Sequence, residues 1–121
     1  MLINTFLVKS DFMDEELNKL IDKYINDDNR VELFYIAFEH TNKIDLNKIV
    51  HYFIDKRDDY NICELISSIP EYLDLDDIFD SIINTKDDEF MFWIINNGSI
   101  KFIDSKYIYK LEKELNKNLI I

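Results

Sequence analysis

An apolar stripe recurs along this chain at constant spacing. It runs through Leu17, Leu20, Ile21, Tyr24 and Ile25, returns at Leu46, Ile49, Val50, Phe53 and Ile54, and returns again at Leu75, Ile78, Phe79, Ile82 and Ile83, 29 residues later each time. Steps of three and four place such residues on one face of an α-helix. A single unit of this kind cannot bury its face alone, and a period of about 20 to 50 residues is what stacked supersecondary units produce.

A second stripe precedes each later copy of the first: Val31, Phe34 and Tyr35, then Ile62, Leu65 and Ile66, then Met91, Ile94 and Ile95, separated by 31 and 29 residues. Each unit is therefore a helix pair. The spacing predicts inner helices over about 29–41, 60–69 and 88–97 and outer helices over about 12–26, 45–57, 74–86 and 104–117. The expected fold is all-α, a short α-solenoid of stacked helix-turn-helix units with a period of about 29–31 residues, in one domain covering 1–121. One Gly and one Pro leave little of the turn chemistry that tight β-hairpins need, which disfavours a β-rich alternative.

Punctuation fits the same frame. Asp45, Asp74 and Asp104 stand just before outer helices, where a carboxylate accepts from the first free amides and complements the helix dipole. The pairs Asp27-Asp28, Asp58-Asp59 and Asp87-Asp88 fall before inner helices, and one member of each is expected to cap. Pro70 should stop the second inner helix and Asn97-Gly98 the third. Leu2, Ile3, Phe6 and Leu7 suit a partial inner helix at the start, and Lys106, Lys110, Lys113 and Lys117 suit a final helix that shows a polar face to water.

The inner stripe also carries a family resemblance. The segment Glu89-Phe-Met-Phe-Trp-Ile-Ile-Asn-Asn-Gly98, with the unit length and helix pairing, resembles the second helix of an ankyrin repeat running into its Asn-Gly turn, although the Thr-Pro-Leu-His opening of that family is absent. The resemblance implies a protein-binding scaffold without catalysis.

Catalytic and cofactor signatures are missing. A single Gly excludes the glycine-rich phosphate loops, so no nucleotide cofactor is expected. His40, His51 and Cys63 match no ligand spacing, and a lone Cys usually behaves as a small core hydrophobe. Asp74-Leu-Asp76-Asp77-Ile-Phe-Asp80 has Phe79 and Thr85 where a calcium loop needs Gly and Glu, so no metal is expected either. The reading is that the chain is not an enzyme. Residues Met1 to Ser10 lack the pattern of a secretory signal, and the longest uncharged run, Phe90 to Ile100, is shorter than the roughly 18 apolar residues of a span. A cytoplasmic location away from membranes is expected.

Charge supplies the candidate site. Net charge is -11, and residues 58–89 carry -10 of it: eleven acidic side chains against Lys86. Such a surface repels phosphates, which excludes direct nucleic-acid binding, and attracts a basic protein. The expected partner-binding residues are Asp58, Asp59, Tyr60, Glu71, Tyr72, Asp74, Asp76, Asp77, Asp80, Asp87, Asp88 and Glu89. Tyr60, Tyr72 and Tyr109 lie off the apolar stripes and are the expected exposed anchors, whereas Phe12, Phe34, Tyr35, Phe38, Tyr52, Phe53, Phe79, Phe90, Phe92 and Trp93 are expected mostly in the core. In size, charge and helical make-up the chain is similar to the acidic immunity proteins of contact-dependent growth inhibition. That similarity implies an inhibitor that neutralises a basic nuclease toxin by covering its cleft. Two alternatives share the pattern: a phage-encoded anti-CRISPR or other antagonist of a defence nuclease, and a helical-repeat adaptor holding a peptide or helix along the inner helices.

Overall fold

Each stripe becomes a helix. The computed structural model describes residues 14–97, 100 and 103–119. Its helices are α1 (Glu15–Asn26), α2 (Arg30–Glu39), α3 (Leu46–Asp55), α4 (Asp59–Ser68), α5 (Leu75–Asn84), α6 (Asp88–Ile95) and α7 (Ser105–Leu119), with 3-10 turns at Thr41–Lys43 and Pro70–Tyr72. No strand occurs among the described residues. The expected first helix of Leu2, Ile3, Phe6 and Leu7, together with Phe12 and Gly98, lies outside them.

One connection is used three times. After α1, the Asp28 amide bonds the Ile25 carbonyl at 3.1 Å and the Asn29 amide bonds Tyr24 at 2.8 Å, the paired pattern of a Schellman stop. After α3 the same pair recurs as Arg57 to Ile54 and Asp58 to Phe53. After α5, Lys86 bonds Ile83, and the Asp87 amide instead reaches the Thr85 hydroxyl at 3.3 Å. Asp28, Arg57 and Lys86, all carrying a Cβ, hold the left-handed turn at φ 52°, 56° and 55°.

The residue after each of these is at once the end of one helix and the cap of the next. Asn29, Asp58 and Asp87 accept from the amides of Glu32, Asn61 and Phe90. The first inner cap is thus Asn29 rather than Asp27 or Asp28: Asp27 closes α1 and Asp28 occupies the left-handed position. Asp45, Asp74 and Asp104 cap as expected, accepting from Lys48, Asp77 and Lys106, and Asp14 caps α1 in the same way. Ile69, forced off the helical region by Pro70, ends α4 at φ -136°.

Two compact units divide the chain, Met1–Ile49 and Val50–Ile121, with the boundary inside α3. In the first, α1 and α2 pack together through Ile21, Leu33, Ile36 and Ala37, all buried. The Asp14 amide donates to the Lys43 carbonyl, the Asp45 amide donates to the Asn18 side chain, and Asp22 pairs with Lys48.

In the second unit, α4 packs on α6, and α5, α6 and α7 pack on one another. Phe53, Phe79 and Phe90 are fully buried with Ile62, Ile66, Ile78, Ile82, Met91, Ile94 and Leu111 around them. Tyr107 stacks on Phe79 with ring centroids 5.0 Å apart. Burying a side chain of this size contributes about 1.5–3 kcal/mol, whether ring or aliphatic, so the two kinds hold the unit together.

Candidate functional site

In the second unit, acidic residues fall into groups set by helix direction. Asp58 and Asp59 open α4, and Asp87, Asp88 and Glu89 open α6. Asp74, Asp76, Asp77 and Asp80 belong to α5 and its cap, which follow the far end of α4, a helix of ten residues and about 15 Å. Glu71 and the 49% exposed Tyr72 sit on the 3-10 turn between them.

The α5 group is largely committed within the unit. Asp74 is occupied as a cap. Asp77 lies 2.8 Å from His51 Nε2, and Asp80 meets Lys110 from α7, whose pKa that hydrogen bond raises. Asp76 bonds the Tyr107 hydroxyl, and partial burial followed by this bond raises the phenol's pKa. Lys106, Lys110, Lys113 and Lys117 are all exposed, the polar face expected of the last helix, and the last three border an open groove with Asp80. Charge counted along residues 58–89 missed these ties because the cations come from α3 and α7.

The openings of α4 and α6 differ. Arg57 Nε donates to Asp87 at 3.1 Å while its guanidinium lies 5.6 Å from the Phe90 ring centre, which fastens the start of α6 beside that of α4. The Phe90 amide holds the Asp87 carboxyl below the usual carboxylate range, partial burial opposes this, and Arg57 adds to the lowering. Beyond that tie, neither α4 nor α6 contains a Lys, Arg or His.

Between the carboxylates stand exposed rings. Tyr60 is 65% exposed, Phe92 57% and Trp93 40%. Tyr60, Tyr72 and Tyr109 are exposed, as expected from their positions off the apolar stripes. Phe92 and Trp93 correct the expectation of a core role, as do Tyr35 and Phe38 in the first unit, where Val31, Tyr35 and Phe38 form an exposed stripe beside the half-buried Phe34. The buried side of each inner helix is already filled: Leu33, Ile36 and Ala37 in α2, and Phe90, Met91 and Ile94 in α6. The signal available was register, because Trp93 follows the equivalent of Tyr60, position 89, by one turn.

Residues considered for chemistry do other things. His40 closes α2, His51 is bound to Asp77, and Cys63 is fully buried, its thiol pushed up to about 12 chiefly by loss of solvent. No group of three or more metal-binding side chains occurs among the described residues. No described helix is long and apolar enough to cross a membrane. No protein-family model, curated protein or solved structure matches the chain.

Proposed function

We propose that this chain is an acidic protein-binding inhibitor that neutralises a basic, nuclease-type toxin by covering its nucleic-acid cleft, in the manner of an immunity protein. The observation that carries the reading is the surface of α4 and α6: Asp59, Glu64, Asp88 and Glu89 interleaved with Tyr60, Phe92 and Trp93, on two helices without a single cation. A cleft that binds phosphate backbones is lined by Lys and Arg, whose apolar stems and charged heads suit a surface of rings and carboxylates. Opposite charge accelerates encounter, and exposed aromatic side chains supply contact area at the centre.

The test is inhibition of a basic nuclease domain at near-equimolar ratio, with cleavage followed as salt is raised. Asp59→Asn, Asp88→Asn and Glu89→Gln together should weaken inhibition at least tenfold at low salt. Asp74, Asp77, Asp80 and Asp87 are poor choices for this purpose, because their loss removes caps and ion pairs. Unchanged inhibition by the triple variant rejects the proposed surface.

A second reading, the adaptor that holds a helix or peptide, is favoured by the apolar stripe of Val31, Tyr35 and Phe38 on α2. Its binding would persist at high salt and fall on Tyr35→Ser/Phe38→Ser, leaving the triple variant unaffected.

A further inference from the structure

Helices α4 and α6 are equivalent elements 29 residues apart, they touch, and Arg57 with Asp87 ties their starting ends together. Equivalent positions therefore lie side by side on neighbouring helices, whose axes in such packing run about 8–10 Å apart. On the exposed side this pairs Tyr60 of α4 with Glu89 of α6, and one turn later pairs Glu64 of α4 with Trp93 of α6. By this register an aromatic residue falls opposite an acidic one twice, with the order of the two reversed. The third such row, Ser67 with Asn96, is small and uncharged.

We infer that these two rows are seats for a pair of arginine side chains presented one helical turn apart by the partner. The inference rests on the basic-partner reading and names the recognition element within it. A guanidinium is planar, stacks on aromatic faces and donates in a fork that matches a carboxylate; an ammonium has only the charge. Each seat supplies both requirements, a ring for the face and a carboxylate for the edge. A carboxylate accepts several donors at once, so neither Glu64 nor Glu89 needs to give up an existing contact. Residues four apart on a helix rise about 6 Å, which matches the distance from position 60 to 64 and from 89 to 93. The partner side is then a helix with Arg at i and i+4, its remaining face lying over Ser67 and Asn96.

The experiment uses the whole chain and three synthetic helical peptides of equal charge: Arg at i and i+4, Lys at i and i+4, and Arg at i and i+2. Trp93 is the only tryptophan, so its emission reports occupancy of the second seat directly. Fluorescence anisotropy of labelled peptide gives affinity for variants that lack it. The i, i+4 Arg peptide should shift Trp93 emission saturably and bind at least threefold more tightly than either other peptide. Tyr60→Ala and Trp93→Ala should each weaken it about two- to fivefold, the range of one exposed cation–aromatic contact. Both positions are exposed, and circular dichroism checks that each variant folds.

Equal binding of all three peptides, or full affinity in both aromatic variants, overturns the seats while leaving a basic partner in place. Absence of binding by any cationic peptide at low salt overturns the seats and the partner reading together.

Discussion

Asp87 joins two roles that substitution can separate. As the cap of α6 it accepts from the Phe90 amide at 3.1 Å, and as a charge it holds Arg57 at 3.1 Å. Asp87→Ala removes both. Loss of a cap of this type costs about 1 kcal/mol, and an ion pair with both side chains about a third exposed adds about 0.5 kcal/mol, for a total near 1.5 kcal/mol. In a chain of this size that corresponds to a fall in Tm of about 6 °C, or about 1 M in the urea midpoint.

Asp87→Asn keeps a good capping side chain and loses the charge, so it should cost only about 0.5 kcal/mol. A cycle with Arg57→Gln should return a coupling of about 0.5 kcal/mol that shrinks in 1 M salt. The Asp87 carboxyl is held below its unfolded value, so its contribution is present above about pH 4 and is lost as pH falls through the folded value. The gap between wild type and Asp87→Ala should therefore narrow on acidification. Urea titrations read by circular dichroism and Trp93 emission measure all of this. Equal losses in Asp87→Asn and Asp87→Ala would refute the division into cap and charge.

Further outcomes follow from the turns, the core and the thiol. Lys86→Gly should stabilise the chain by about 0.5–1 kcal/mol in the same urea assay, since glycine relieves the steric cost of a left-handed Cβ. Phe79→Ala should cost about 3–5 kcal/mol, while Tyr35→Ser/Phe38→Ser should cost less than about 1 kcal/mol; a double-variant loss matching that of Phe79 would place those rings in the core after all. Cys63 should resist a thiol reagent at pH 8 in the native chain and react at once in urea. Because its folded pKa is raised to about 12 from 9.0, the folded state retains a proton that the unfolded state gives up. Its contribution to stability is complete below pH 9 and disappears as pH climbs towards 12, and a Cys63→Ala variant should lack that component of alkaline sensitivity.

Helix positions were legible in the sequence because every element combines an apolar period of three and four with a capping Asp or Asn at its start. Each observed helix lies within about three residues of its expected ends. The direction faced by the inner helices was not legible. Val31, Tyr35 and Phe38 are as apolar as Leu33, Ile36 and Ala37, so periodicity in α2 could not separate the exposed side from the buried one. Nor could counting charge along a segment reveal that Asp80 meets Lys110 or that Asp87 meets Arg57, because those partners stand 30 residues away in sequence. The acidic character of residues 58–89 was readable, but the engagement of the α5 carboxylates by His51, Tyr107 and Lys110 was not.

The matching register of α4 and α6 has a consequence for substitution. Their buried residues correspond one for one and are all apolar, Ile62 with Met91 and Leu65 with Ile94. Their outward residues correspond too but differ in chemistry, Tyr60 with Glu89 and Glu64 with Trp93. Side chains can therefore be exchanged between the two helices on the water side without touching the layer beneath, which leaves that side free to vary while the core stays fixed.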